Sequence, residues 1–174
     1  PLLPVSPYGV SKVATENLGR QFFLAHGVQV IIARFFIQVG VGGTDSLAIH
    51  EFCKQIALAE LGLSPAVVSH GNLDGSRDMT DASDSAPVVV ALAERGVVGE
   101  AYNVGSGRTM TVLDLLHTAI SLSKIKVKAQ VDNSRFRAYD EKILLANISK
   151  IRALTGWKPS TNMTSTVEKI LDYW

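Results

Sequence analysis

Residues 7–26 read as one helix that runs through a single glycine into a strand. Ser6 is a favoured N-cap, Pro7 suits the first helical position, where its missing N–H costs nothing, and Gly27 is a favoured stop. Residues 28–34 are β-branched and nearly continuous in apolar side chains, the pattern of a strand buried on both faces in a parallel sheet. A helix that feeds such a strand is the second half of a βαβ crossover. This pairing commits the chain to an α/β architecture with a parallel sheet. The strand that would precede the helix is not in the sequence, so an incomplete fold is expected.

The same helix carries candidate chemistry. Tyr8 and Lys12 are four residues apart and fall on one helix face. A free phenol titrates near pH ~10 and is a weak acid or base at neutral pH. An adjacent ammonium favours the phenolate, and a Tyr tuned this way can exchange a proton with a substrate hydroxyl or carbonyl. The bare spacing is short and common, and an ordinary amphipathic helix with one exposed Lys explains it as well.

Further along, residues 35–46 read as a loop with Gly40, Gly42 and Gly43, without the spacing of a dinucleotide fingerprint or a phosphate loop. Residues 47–63 read as a helix with Ile49, Phe52, Cys53, Ile56, Ala57 and Leu61 inward and Lys54 on the polar side, and residues 66–69 as a short strand. Residues 71–81 combine Gly, Asn and Asp turn residues with Arg77 beside acids. A planar guanidinium suits a pyrophosphate, and it equally suits a surface ion pair. Helices are expected over 82–95, 111–122 and 149–154, strands over 101–104 and 127–131, and a last amphipathic helix up to Trp174.

With 47% hydrophobic and 19% charged residues, the chain can bury a core and is not disordered. A net charge of +1 without a Lys/Arg block gives no reason to expect nucleic acid or an anionic membrane surface. Cys53 is the single cysteine, so a disulfide framework within the chain is excluded and a reducing, cytoplasmic setting is expected. Residues 1–4 lack a basic signal-peptide start, and the apolar runs are too short to span a bilayer.

The run from Pro4 to Lys12, PVSPYGVSK, resembles the catalytic segment of the extended short-chain dehydrogenase/reductases, the nucleotide-sugar epimerases, dehydratases and reductases. GNLDGSRDMTDASD, EAYNVGSG and TGWKP follow in the order and spacing of the GDP-sugar branch, which contains GDP-mannose 4,6-dehydratases and GDP-6-deoxy-mannose reductases. The likeness covers essentially the whole chain. It implies the C-terminal half of a Rossmann-type fold, with the remaining parallel strands plus a small substrate-binding lobe. Residues 1–43 would end the Rossmann domain. Residues 44–174 would form mainly the substrate lobe, with 79–104 returning to the Rossmann sheet.

By the same resemblance Tyr8 is the acid/base, and Lys12 holds the nicotinamide ribose and tunes Tyr8. Phe35 and Phe36 pass the cofactor, which would be NADP or NAD. Arg77 would grip the substrate pyrophosphate, with Lys54, Asn72, Arg137 and Asp140 around the nucleotide sugar. Ile37, Val41, Met79, Ser83 and Ala138 depart from the family's Asn, Pro, aromatic, Arg and Pro. The glycine-rich fingerprint and the Ser/Thr partner of the Tyr precede the Tyr in that family, and neither is in this sequence.

The expected function is part of an NAD(P)-dependent enzyme reducing a GDP-4-keto-6-deoxyhexose, the 174 residues alone being inactive. The alternatives are a GDP-mannose 4,6-dehydratase or another nucleotide-sugar epimerase/dehydratase, or a non-catalytic nucleotide-sugar-binding module. The expected partners are the nucleotide sugar, the missing N-terminal half and a second copy of the chain, because family members dimerise through the Tyr–Lys helix.

Overall fold

The computed structural model describes residues 2–136 and 141–174; Arg137 and Asp140 lie outside the described residues. The chain opens with helix α1 (Pro7–His26), whose Ser6 Oγ accepts from the Gly9 amide at 3.0 Å and whose end is capped by Gly27 in left-handed backbone, φ 67°. Strands β1 (Ile32–Phe35) and β2 (Ile37–Val39) follow, then α2 (Ala48–Glu60), β3 (Val67–His70), β4 (Ser76–Arg77) and β5 (Met79–Asp81). Next come α3 (Ala82–Arg95), β6 (Ala101–Val104), β7 (Met110–Thr111), α4 (Val112–Ser121) and β8 (Lys128–Val131). A one-turn 3-10 helix (Asn133–Arg135), β9 (Ile143–Leu144), α5 (Ser149–Thr155) and α6 (Met163–Tyr173) complete the order.

The parallel pairing expected from the crossover is present. β1 pairs with β6, β2 with β5 and β3 with β8, all parallel, while β4 lies antiparallel to β7 and parallel to β9. Three expectations for this region need correction. The strand after α1 begins at Ile32, four residues later than the apolar run. The Val28 amide is still spent on the helix end, bonding the Phe22 carbonyl, and the register with β6 begins only at Ile32, opposite Ala101. β1 is also half-buried rather than covered on both faces. In addition, residues 35–46 are not all loop. The Phe36 amide bonds the Val104 carbonyl at 2.8 Å, and the chain then leaves β6 to pair with β5 as β2.

Two apolar clusters hold the elements. The larger packs α2, α4 and α6 through Ile49, Phe52, Cys53, Ile56, Leu115, Leu116, Val167 and Ile170. The smaller joins α3, α5 and β6 through Val88, Leu92, Ile151, Tyr102 and Val104. Leu61, expected inward, is 67% exposed, because α2 ends at Glu60 and Leu61 sits past the last inward-facing turn. Burial pushes the Cys53 thiol up to about 12, so it packs as a small apolar residue and is not a nucleophile at neutral pH. No helix among the described residues is long and apolar enough to cross a membrane.

Candidate active site

The first turn of α1 presents Tyr8 and Lys12 together, as the i, i+4 spacing requires. Lys12 Nζ lies 5.2 Å from the Tyr8 ring centroid, and Tyr8 is 71% exposed. Among the described residues neither side chain has a hydrogen-bond partner, and both residues are exposed. Phe35 ends β1 and is exposed, and Phe36, in the break before β2, is half-buried.

A separate cavity of about 260 Å³ opens between β2, α2, β3 and the turn that follows β3. Ile37, Leu47, Phe52, Leu73 and Met79 form its apolar wall. Asp45, Glu51, Asn72, Arg77 and Arg135 supply its polar groups. Arg77 is half-buried on β4 and donates from Nη1 to the Ser76 carbonyl at 3.0 Å. Asn72 is exposed and its Oδ1 accepts from the Asp74 amide at 3.0 Å, fixing the turn. Lys54 stands beside the cavity rather than in its wall. Its Nζ bonds Asp45 Oδ2 at 2.7 Å and lies 5.0 Å from the Trp174 ring centroid.

The structure thus groups Asn72 and Arg77 in one cavity, with Lys54 held at its edge by Asp45. Tyr8, Lys12, Phe35 and Phe36 do not line that cavity. Sequence reasoning missed the residues that hold the site in place. Asp78, fully buried, accepts from Ser106 N and Oγ at 2.6 and 2.7 Å, from Gly107 N at 2.9 Å and from Ala146 N at 3.1 Å. It ties the strand break beside Arg77 to two distant segments, which no local pattern encodes. His50 is also fully buried. The Trp174 indole N–H points at its Nδ1 at 3.4 Å, and burial holds its pKa below the usual histidine value.

Two acids dock α6 and the segment before it onto the start of α3. Asp81 caps α3 through the Ser83 amide at 2.8 Å and accepts from Thr166 Oγ1 of α6 at 2.6 Å. Asp84 accepts from the Ser160 and Thr161 amides at 3.2 and 3.0 Å. The Trp157 indole N–H donates to the Asp84 carbonyl at 3.0 Å, so the TGWKP run is a structural clasp. Burial raises the pKa of each acid, and these hydrogen bonds outweigh it, leaving both below the usual carboxylate value.

Comparison with known proteins gives this geometry its setting. The family described as GDP-mannose 4,6 dehydratase matches residues 1–170. The chain is similar to GDP-6-deoxy-D-mannose reductase of Pseudomonas aeruginosa, 30% identical over 171 residues, covering 98% of this chain and 56% of that protein. It is likewise similar to the structure of RMD from Pseudomonas aeruginosa complexed with NADPH, at a TM-score of 0.92 and 30% identity, over 99% of this chain and 57% of that one. A UDP-glucuronic acid 4-epimerase from Bacillus cereus, solved with UDP-glucuronic acid and NAD, matches at a TM-score of 0.85 and 26% identity, over 98% of this chain and 53% of that one.

The chain spans about half the length of these relatives, and it aligns with the C-terminal half of the reductase. The expected fold class holds: the parallel strands and helices are the C-terminal half of a Rossmann-type short-chain dehydrogenase. With the match running from residue 1 to residue 170, the chain belongs to the GDP-mannose 4,6 dehydratase family.

Proposed function

We propose that this chain is the C-terminal part of an NAD(P)-dependent nucleotide-sugar oxidoreductase that reduces a GDP-4-keto-6-deoxyhexose. The observation that carries the reading is the outward-facing Tyr8–Lys12 pair on the first turn of α1, in a chain whose 30%-identical relative is a GDP-6-deoxy-D-mannose reductase. Tyr8, Lys12, Phe35 and Phe36 fit the nicotinamide end of NADP or NAD: two outward donors with no partner among the described residues, and an aromatic strand end. That cofactor, when bound, supplies the hydride for the C4 carbonyl.

The residues of the chain do the rest. Tyr8 gives its hydroxyl proton to the oxygen of the reduced carbonyl, so hydride and proton together make the alcohol. The Lys12 ammonium, beside the ring, binds the ribose hydroxyls. Arg77 clamps the substrate pyrophosphate, and Asn72, Lys54, Arg137 and Asp140 hold the nucleotide sugar around it. In this reading residues 1–43, with 79–104 returning to the sheet, complete the cofactor half, and the remainder of 44–174 forms the substrate lobe. A second copy pairs through α1, whose Leu18 and Phe22 are exposed.

The test uses the whole enzyme. Tyr8→Phe lowers turnover of GDP-4-keto-6-deoxy-mannose by roughly 10²- to 10⁴-fold and leaves the Kd of the nucleotide sugar nearly unchanged. Equal loss of turnover and binding would make Tyr8 a packing residue and remove the assignment. One observation favours a second reading, a non-catalytic nucleotide-sugar-binding module. The cavity wall carries Ile37 where the resemblance has a sugar-contacting Asn. That module binds GDP and not NADPH, which calorimetry with each ligand decides.

A further inference from the structure

Of the two carboxylates among the described cavity residues, Asp45 is paired with Lys54, and Glu51 has no part in the proposed chemistry. Glu51, on the first turn of α2, lines the cavity wall and its side chain is 26% exposed. Both of its hydrogen bonds fall on the same oxygen. Oε1 accepts from Arg135 Nη1 at 2.8 Å and from Gln55 Nε2 at 3.1 Å. Oε2 has no hydrogen-bond partner among the described residues, although a carboxylate oxygen has two lone pairs to offer.

The surroundings hold Glu51 in this state. Gln55 is fixed in turn by β3, its Oε1 accepting from the Ser69 amide at 2.7 Å and its Nε2 donating to the Ser69 carbonyl at 3.1 Å. Arg135 is gripped at a second point by Asp132 Oδ2 at 3.2 Å. Gly71 lets the Arg135 backbone cross the end of β3, since a Cβ there would lie 2.6 Å from the Arg135 carbonyl oxygen. The result is a rigid, charge-compensated acceptor in the wall of a cavity read as a nucleotide site.

Resting on that nucleotide reading, we infer that Glu51 reads the base and selects guanine. Guanine presents N1–H and the exocyclic N2–H₂ side by side on one edge, both donors, and the open Oε2 takes the N2 amine. Uracil and thymine present one N3–H between two carbonyls, which a carboxylate repels. Glu51 is therefore the specificity residue that separates a guanine from a pyrimidine nucleoside diphosphate, with Arg135 and Gln55 as positioning residues.

The experiment is calorimetric titration of the full chain with GDP, IDP, XDP and UDP. IDP lacks the N2 amine and XDP replaces it with a carbonyl, so the ligand series tests the contact without any variant. GDP binds about tenfold more tightly than IDP, and XDP and UDP bind more weakly still. Glu51→Ala brings the GDP and IDP constants to within about twofold of each other, the amine having lost its acceptor. Equal GDP and IDP affinity in the unaltered chain, a preference that persists in Glu51→Ala, or tighter UDP than GDP would overturn the base assignment and leave a nucleotide-binding cavity standing. Failure of all four ligands to bind would overturn the assignment and the nucleotide reading with it.

Discussion

Glu16 is the one buried residue of α1, and it is charged. Arg34 on β1 grips it with two hydrogen bonds, Nε to Oε2 at 2.8 Å and Nη2 to Oε1 at 2.5 Å, and Arg20 adds a contact at 2.8 Å. The Arg34 hydrogen bonds hold the Glu16 carboxyl below the usual value of 4.5. A carboxylate with a lowered pKa stabilises the fold above its unfolded pKa, and that contribution is lost as pH falls through the folded one. Glu16→Gln is therefore expected to cost about 1–3 kcal/mol at pH 7, read as a shift of the urea midpoint. The gap between the two proteins closes below about pH 4. A pH-independent difference would mean that packing, not charge, anchors α1.

The elements divide by how local their causes are. α1 and α3 have the residue bounds expected, because caps mark their ends: Ser6 and Gly27 for α1, Asp81 for α3. β6 likewise falls where its short apolar run predicts. The strand after α1 starts late and β2 was hidden in a glycine-rich stretch, because both depend on partners far away in sequence: β6 for one, β5 for the other. In the candidate site, the juxtaposition of Tyr8 and Lys12 was legible from spacing within one helix, whereas their candidate role came only from the family resemblance. Asp78 and His50 were not, because their partners lie on segments 28 to 124 positions away.

The post-strand loop shows the same dependence. A Cβ on Gly43 would lie 2.2 Å from His50 Nε2 and inside contact distance of the whole ring edge. Gly43→Ala must displace either the loop or a fully buried imidazole that also meets Trp174. The expected cost is about 1–3 kcal/mol. The urea midpoint and the near-ultraviolet signal of Trp174 should move together. A change below about 0.5 kcal/mol would show that the loop yields freely.

At the scale of the molecule, the two apolar clusters lie under α2–α6, and α1 stands mostly outside them. Leu24 is 81% exposed, and Val10, Leu18 and Phe22 are exposed on the same helix. A helix with this much uncovered apolar surface accords with a chain that spans about half the length of its relatives. The cavity around Arg77, by contrast, is enclosed by α2, β3 and the turn after it, all packed on or beside the larger cluster. On the proposed reading, nucleotide binding is a property of this chain by itself, while turnover belongs to the whole enzyme.

The most direct test of that claim is the calorimetric Kd of GDP for the 174-residue chain, set against that of Arg77→Ala. The chain is expected to bind GDP, and Arg77→Ala to weaken binding roughly 10- to 100-fold, the worth of charge-assisted hydrogen bonds to a pyrophosphate. GDP binding that is absent, or untouched by Arg77→Ala, would contradict it.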